Sequence, residues 1–229
     1  MKRAGDMGGG RKALFDDEAR NWESLYRDGG AGRWGIFQGN VRARAVARME
    51  LCLSLLPPVR DRDVIELGCG PGFYGRRLVG EGARWIGLDL SGPMLAVCRQ
   101  NLPGARLLRG DVRALPFRAS SCDAMLCIGV LSYLSRAQID SLFAQARATL
   151  RPGGVFLAQT LLFDPLTWVR CRLPRFVPRP VRIPGPFTPR SPRTIRRLLS
   201  RNGFAVRRAV TYWKFALYPA GNVFLAVKE

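Results

Sequence analysis

The sequence predicts an α/β fold in which helices cover a mostly parallel sheet. Strand-like and helix-like segments alternate from residue 63 to about residue 160, as they do when crossover helices connect parallel strands. One of these strands, Val64–Leu67, breaks into a glycine-rich loop and leads into a helix, which is typical of a nucleotide-binding corner. The chain has 229 residues, of which 47% are hydrophobic, and we therefore expect a single domain with a full core.

The N-terminal residues are predicted to lead into a helical cover over the sheet. Residues 1–12 are polar, glycine-rich and charged, without the apolar core of a signal peptide, and we expect a disordered lead-in. Residues 13–56 predict two helices, Phe15–Tyr26 and Val41–Leu56. The first has apolar residues three or four positions apart, and this face is expected either to pack in the core or to act as a lid.

Residues 62–162 are expected to form the ligand-binding core. After the second strand, Ser91 is the predicted N-cap of a helix, because its side chain can accept a hydrogen bond from the first turn. A third strand, Arg106–Arg109, follows that helix. A later helix, Gln138–Leu150, is predicted to be closed by a Pro-Gly-Gly turn before the strand Val155–Thr160.

The C-terminal part consists of a proline-rich segment followed by a predicted helix and two predicted strands. Residues 163–192 contain eight prolines, which favour an extended excursion over a helix, and we expect this insertion to cover the substrate. Residues 193–229 predict a last helix, introduced by Pro192, and two strands at Phe204–Tyr212 and Asn222–Val227.

Acidic residues follow the glycine loop at two positions where a bound nucleoside would need hydrogen-bond acceptors. Gly68, Gly70 and Gly72 alternate after the first strand, a spacing that differs from the dinucleotide motif G-x-G-x-x-G. Asp89 ends the second strand 19 residues after Gly70 and can accept hydrogen bonds from both ribose hydroxyls. Asp111 follows the third strand and is either a partner for an adenine amino group or a turn residue.

In order and spacing these segments resemble the class I S-adenosylmethionine (SAM)-dependent methyltransferases. The resemblance covers about residues 62–160 and extends to the last helix and strand pair. Its motifs are Glu66–Gly72, Gly87–Ser91, Gly110–Val112, Asp123–Leu134 and Leu150–Gly154. It implies a Rossmann-like, seven-stranded, mostly parallel sheet with helices on both faces and an antiparallel last strand. It also implies SAM as the cofactor, with S-adenosylhomocysteine (SAH) as its product.

The same resemblance assigns the cofactor site. It implies that Glu66 meets the ammonium group of SAM, since an acid in an apolar strand needs a partner, and the alternative is that Glu66 only caps the glycine loop. Phe73 and Met94 either line the adenosine pocket or pack in the core. Cys69 and Cys127 are expected to act as small apolar side chains rather than nucleophiles. The expected cofactor-binding residues are Glu66, Gly68, Cys69, Gly70, Gly72, Phe73, Asp89, Leu90, Met94, Gly110, Asp111, Val112, Cys127 and Ile128.

The catalytic group is less well defined. Methyl transfer from a sulfonium needs mainly alignment, although an oxygen nucleophile often also loses a proton to a base. The sequence contains no histidine, which many small-molecule relatives carry after the fourth strand. Tyr133, Asp164 and Tyr212 are the candidate bases, and for Tyr133 an aromatic wall is the favoured role. Alternatively the substrate needs no base, as would hold for an acidic phenol, a carboxylate or a neutral amine.

Cysteine and hydropathy patterns exclude several other classes. Six cysteines occur without a C-x-x-C pair and without histidine, so no metal site is expected. A reduced, cytoplasmic protein is the simplest interpretation. The longest charge-free apolar run, Ala124–Leu134, is shorter than the ~20 residues that span a bilayer.

Positive charge is concentrated toward the C-terminus. The chain carries a net charge of +20. Residues 163–214 hold 13 Lys and Arg against one Asp, a net of +12. Such a surface could attract an anionic small molecule, an anionic membrane surface or RNA. Arginine outnumbers lysine 33 to 4, so a compositional origin is the alternative.

Three functional hypotheses follow. The favoured one is a methyltransferase for a small-molecule acceptor, anionic or lipid-like, since residues 127–131 lack the Asn/Asp-Pro-Pro-Tyr/Phe motif of base-amino methyltransferases. Within it, the segment 163–170 is a candidate for peripheral contact with the inner face of a membrane. The second is an RNA methyltransferase, less favoured because no separate RNA-binding module is visible. The third is a SAM-binding protein without catalytic activity. The sequence does not predict an oligomeric state.

Overall fold

The structure, a computed structural model, describes residues 16, 35–161, 188–214 and 218–229. Several predictions therefore lie outside the described residues. They are the disordered lead-in, nearly all of the helix Phe15–Tyr26, most of the substrate-cover insertion, the candidate membrane segment and the candidate base Asp164.

Seven strands form one sheet in the order β3-β2-β1-β4-β5-β7-β6. Strands β1 to β5 are parallel neighbours, and β7 lies antiparallel between β5 and β6. The predicted fold class is confirmed. The strand order changes direction between β1 and β4, because β2 and β3 lie on one side of β1 whereas β4 and β5 lie on the other. Ligands of such sheets bind at this point, outside the carboxyl ends of the strands. The strands are β1 Asp63–Leu67, β2 Arg84–Asp89, β3 Arg106–Arg109, β4 Cys122–Ile128, β5 Leu150–Leu161, β6 Phe204–Lys214 and β7 Tyr218–Lys228.

Helices cover both faces of the sheet. The described helices are α1 Gly35–Ser54, α2 Phe73–Gly80, α3 Gly92–Asn101, α4 Arg136–Thr149 and α5 Pro192–Arg201, with a 3-10 turn at Leu131–Tyr133. One core layer packs α1, α2 and α3 against the sheet around Trp85 and Leu126. The other packs α4 and α5 around Phe143 and Phe156. Each layer removes apolar area from water on one side of the sheet, which stabilises the fold.

Serine caps fix where three of these helices begin. Ser91 accepts a hydrogen bond from the Met94 N–H at 3.2 Å, as predicted. Ser135 forms a reciprocal capping box with Gln138, and the Ser191 side chain accepts the Thr194 N–H. Caps of this kind satisfy donors that the first helical turn would otherwise leave unpaired.

The boundary of β5 differs from the sequence prediction. The strand begins at Leu150, which pairs with Cys122, and the next paired residues are Ala124 and Val155. The predicted Pro-Gly-Gly turn is thus an irregularity inside the strand rather than a separate loop. It is fixed by Arg151, whose guanidinium contacts Asp63 at 2.9 Å and Asp123 at 2.8 Å.

Candidate functional site

The glycine loop after β1 combines left-handed backbone with close packing. Gly68, Gly70 and Gly72 have φ angles of +73°, +50° and +85°, which side chains other than glycine adopt with strain. A β-carbon added at Gly68 would collide with Val130, and one at Gly72 with the Cys98 sulfur. At Gly70 it would meet nothing within 4 Å. Gly70 therefore faces open space while its two neighbours are enclosed.

The Asp89 carboxylate holds this loop in place. Its Oδ2 accepts the Gly70 N–H at 2.8 Å, and its Oδ1 accepts the Ser91 N–H at 2.9 Å. Loss of solvent around the carboxyl raises its pKa, and the backbone N–H donors partly offset this. A carboxylate has about four acceptor sites, so this group keeps capacity for a further donor. An acid at the carboxyl end of β2 thus lies beside the open space above Gly70.

Glu66 lies beneath the loop with partners inside the protein. Its side chain is 2% exposed, and the Trp85 Nε1–H donates to it at 3.1 Å. Burial raises the pKa of this carboxyl well above its usual range, while Trp85 and the Gly75 N–H act in the opposite direction. Glu66 is therefore packed beneath the loop, and its contact with the ammonium group of SAM stays a prediction.

Asp111 is engaged by its own loop. Its Oδ1 accepts the Arg113 N–H at 2.9 Å, and its Oδ2 accepts from the Arg113 guanidinium at 2.8 and 2.5 Å. Partial burial would raise the pKa of Asp111, but the hydrogen bonds from Arg113 outweigh it and the pKa is lowered. The carboxylate is consequently charged, and Arg113 fixes its orientation.

The remaining cofactor candidates divide by burial. Met94, Cys69 and Cys127 are buried. The pKa of the Cys127 thiol is raised by burial alone, and that of Cys69 by its contact with Cys98 and by burial. Their side chains are buried in the core, and their contact with the cofactor stays a prediction. Five candidates lie at the carboxyl ends of strands or beside the loop and are half-buried: Phe73, Leu90, Gly110, Val112 and Ile128.

The two described base candidates lie in different surroundings. Tyr133 is half-buried in the turn that follows β4. Tyr212 is on β6, where the Gln159 Nε2–H donates to its hydroxyl oxygen at 2.5 Å. Burial raises the pKa of Tyr212, so the phenol stays protonated at neutral pH. In this environment the Tyr212 hydroxyl accepts a hydrogen bond from Gln159, and its role as a base stays a prediction.

The N-terminal segment reaches the acidic turn. The Ser91 hydroxyl donates to the carboxylate of Asp16 at 2.5 Å, one residue pair that joins the expected N-terminal cover to the end of β2. Asp16 also contributes to the raised pKa of Asp89. The sequence identified Ser91 as a helix cap but gave no signal for this second role.

Sequence reasoning missed a group of buried polar residues at the carboxyl ends of β4 and β5. The available signal in the sequence was a polar residue beside an apolar run, since Gln159 and Thr160 follow residues 155–158 and Asn222 precedes residues 223–227. Among the residues that the structure describes, the following buried atoms have no hydrogen-bond partner: Ser132 Oγ, Gln159 Oε1, Thr160 Oγ1, Arg190 Nε and Asn222 Nδ2. Such atoms are uncommon in folded proteins and need an explanation.

Within the described ranges, no helix is long and apolar enough to cross a membrane. These ranges also contain no group of three or more Cys, Asp or Glu residues arranged to hold a metal ion.

Residues 64–154 match the family model described as a methyltransferase domain. The chain is 33% identical over 150 residues to the 18S rRNA (guanine(1575)-N(7))-methyltransferase of Saccharomyces cerevisiae, covering 60% of this chain and 54% of that protein. It is 31% identical over 141 residues to the malonyl-[acyl-carrier protein] O-methyltransferase of Pectobacterium atrosepticum, covering 58% and 55%. The chain thus spans about half the length of these curated relatives.

A solved structure supports the fold over nearly the whole chain. Magnesium protoporphyrin IX methyltransferase from Synechocystis PCC 6803, crystallised with SAH, superposes with a TM-score of 0.75. The superposition covers 95% of this chain and 98% of that chain at 17% identity. At this level of identity the similarity concerns the fold.

Proposed function

We propose that this chain, a member of the class I SAM-dependent methyltransferases, transfers the methyl group of SAM to a small-molecule acceptor. One observation carries the proposal. The Gly70 N–H is fixed by Asp89 at 2.8 Å, and the space in front of Gly70 is open. A glycine loop shaped and held in this way lets a nucleoside approach the backbone closely.

The described residues fit SAM. The free lone pairs of Asp89 suit the ribose hydroxyls, and Asp111 and Val112 lie at the end of β3 where the adenine would be bound. Glu66 acts from beneath, through Trp85 and the loop. We also propose a reducing, cytoplasmic location, in agreement with the free cysteines 52, 69, 98, 122 and 127.

SAM supplies a methyl group on a sulfonium, which is already a good leaving group. The protein's task is therefore to hold the acceptor atom in line with that group and to exclude water. The hydrogen bond from the Gly70 N–H to Asp89 fixes the loop on the SAM side of this arrangement. The buried polar atoms at the end of β5 are the counterpart on the acceptor side.

A small acceptor is favoured by the surroundings of those atoms. Ser132, Thr160 and Asn222 are all less than 4% exposed, so a group that reaches them must enter the protein. Relatives with a small or carrier-bound acceptor occur in the family, among them the malonyl-[acyl-carrier protein] enzyme.

An RNA acceptor is the second candidate, and one surface favours it. Helix α5 exposes Arg193, Arg196 and Arg197, and residues 188–214 contain eight basic residues and no acid. The yeast relative methylates rRNA by its name. Binding of bulk RNA that weakens steeply with salt, together with methylation of that RNA, would favour this candidate over the first.

Calorimetric titration with SAH tests the proposal. We expect binding in the micromolar range, followed by SAM turnover when a small-molecule extract is added. A folded protein that does not bind SAH contradicts the proposal. Binding without turnover on either small molecules or RNA would instead favour a non-catalytic SAM-binding protein.

A further inference from the structure

We propose that the acceptor is a carboxylate, which this enzyme converts to its methyl ester. This inference rests on the proposed methyltransferase function. It follows from buried atoms on the α4 and α5 side of the sheet that can donate hydrogen bonds and have no partner among the described residues, in described segments that contain no acid.

Two of these donors lie side by side. Thr160 on β5 and Asn222 on β7 are paired in register. They share the sheet face of Ala158 and Phe224, since side chains alternate along strands and these two belong to the α4 and α5 core layer. The Asn222 Oδ1 already accepts from the Thr211 hydroxyl at 2.8 Å. This leaves the Asn222 Nδ2 and the Thr160 hydroxyl as free donors.

Two more donors come from the turn after β4 and the segment before α5. Ser132 belongs to the turn Leu131–Tyr133, which packs against β5. The Ser132 carbonyl in this turn accepts the Thr188 N–H at 2.9 Å. The Leu134 carbonyl, directly after the turn, accepts from the Arg190 Nη2 at 2.9 Å. The Ser132 hydroxyl and the Arg190 Nε remain without a partner. A cationic side chain is thus tied to the same turn.

The chemistry of this group selects its ligand. The segments that carry it, residues 129–139, 157–161, 188–214 and 218–228, contain no Asp, Glu or His. The free acceptor nearby, Gln159 Oε1, belongs to the opposite face of β5, where it lies by Tyr212. Several donors and the Arg190 guanidinium, which has no carboxylate partner among the described residues, match a ligand that is anionic and rich in acceptor oxygens. Buried donors left without such a ligand would be costly.

A carboxylate also resolves the missing base. An alcohol must lose a proton to a base when it is methylated, whereas a carboxylate at neutral pH is already ionised. One carboxylate oxygen forms a bond to the methyl carbon, and the carbon–sulfur bond breaks with its electron pair remaining on sulfur. The negative charge of the carboxylate and the positive charge of the sulfonium disappear together, and no proton is transferred. The products are a methyl ester and SAH.

The experiment uses the full chain with methyl-tritiated SAM as the probe. The acceptor source is the small-molecule filtrate of an extract from the source organism, separated by anion exchange into anionic and non-anionic fractions. Mild alkali releases the label of a methyl ester as volatile methanol, whereas methyl ethers, methylamines and C-methyl groups retain it. We expect label from the anionic fraction only, released by alkali, and lost when that fraction is chemically esterified beforehand.

Three substitutions test which side chains bind the anionic acceptor. Thr160→Val, Ser132→Ala and Arg190→Gln are each expected to raise the KM for the anionic fraction roughly 10-fold to 100-fold, as loss of a hydrogen bond to a charged group does. SAH binding by calorimetry should stay unchanged in all three. Matched controls are Thr149→Val, a buried threonine at the C-terminal end of α4, and Arg193→Gln on the exposed face of α5. Both should retain the wild-type KM.

The outcomes are distinguishable. Alkali-stable label, label from the non-anionic fraction or label in RNA overturns the inference and leaves the methyltransferase function in place. A protein that binds SAH but labels neither fraction also overturns it. A folded protein that does not bind SAH removes the proposed function, and the inference with it.

Discussion

The backbone N–H of Gly70 donates to the Asp89 carboxylate across 2.8 Å. This bond joins the loop after β1 to the turn after β2, 19 residues further along the chain. The other carboxylate oxygen accepts the Ser91 N–H, and Ser91 in turn contacts Asp16. One acid therefore couples the glycine loop, the start of α3 and the N-terminal segment.

Replacing this acid is expected to weaken cofactor binding without unfolding the protein. Asp89→Ala removes the acceptor for two loop N–H groups and for the ribose. Because a hydrogen bond to a charged group contributes about 1.5–3 kcal/mol, the Kd for SAH should rise roughly 10-fold to 100-fold. Calorimetry measures it, with Glu81→Ala at an exposed acid as the control. An unchanged Kd for Asp89→Ala would mean that SAH binds elsewhere.

Two glycines of the same loop should respond differently to the same substitution. Gly70→Ala places a methyl group in open space, so we expect a stability loss of about 1 kcal/mol from the positive φ and a severe loss of SAH binding. Gly72→Ala drives its β-carbon into the Cys98 sulfur and should destabilise the protein more. Urea unfolding and calorimetry on both variants separate the effects. Full SAH binding by Gly70→Ala would contradict the proposed position of the cofactor.

The strands and the glycine loop were predictable because their signals are local. An apolar run, alternating glycines and an acid at each strand end lie within a few residues of one another, and they predicted β1, β2 and the position of Asp89. The partner of Glu66 was not predictable, since Trp85 is brought beneath the loop only by the parallel pairing of β1 and β2. An acid expected to reach the ligand is for this reason held inside the protein.

The acceptor side depends on contacts that are distant in sequence. Thr160 and Asn222 are neighbours because β7 inserts between β5 and β6, and each alone is an ordinary polar residue at a strand end. Similarly, nothing local shows that Arg190 will dock on the turn after β4. The start of β5 was misplaced for a related reason. Pro152 and its two following glycines favour a turn, but the pairing of Leu150 with Cys122 and the Arg151 ion pairs retain the residues before Val155 in the strand.

Glu66 should make stability depend on pH. Its pKa is raised by burial, so above the unfolded value of about 4.3 the native state binds more protons than the unfolded state. The stabilising contribution is complete below that value and is lost as pH rises through the folded pKa. Glu66→Gln keeps an acceptor for Trp85 and removes this titration.

Urea unfolding at about pH 5 and about pH 8 tests this expectation. The free energy of unfolding of Glu66→Gln minus that of the wild type should increase from the lower to the higher pH. Asp89, whose pKa is also raised, is present in both proteins and cancels in the difference. A difference that is constant with pH would show that Glu66 does not titrate differently on folding.

Tyr133→Phe distinguishes two roles for Tyr133, a general base or an aromatic side chain that only lines the site. A general base contributes roughly 100-fold or more to the rate, whereas methylation of a carboxylate needs none. We expect the kcat of Tyr133→Phe to stay within about twofold of the wild type, with unchanged SAH binding. A large drop in kcat that grows at lower pH would assign Tyr133 as a base and point to a hydroxyl acceptor.

Thr160→Val is expected to make the protein more stable and less active. The Thr160 hydroxyl is buried without a partner among the described residues, so replacing it with a methyl group of similar size should raise the free energy of unfolding by about 1 kcal/mol. Thr149 is the matched control, because its buried hydroxyl donates to the Gln145 carbonyl at 2.9 Å. Thr149→Val should therefore lower the free energy of unfolding by about 1 kcal/mol. If Thr160 binds the acceptor, Thr160→Val should lose activity while the protein becomes more stable, as is typical of residues retained for function rather than stability. If urea unfolding shows that both variants are destabilised alike, the Thr160 hydroxyl has a structural partner and is not held for the acceptor.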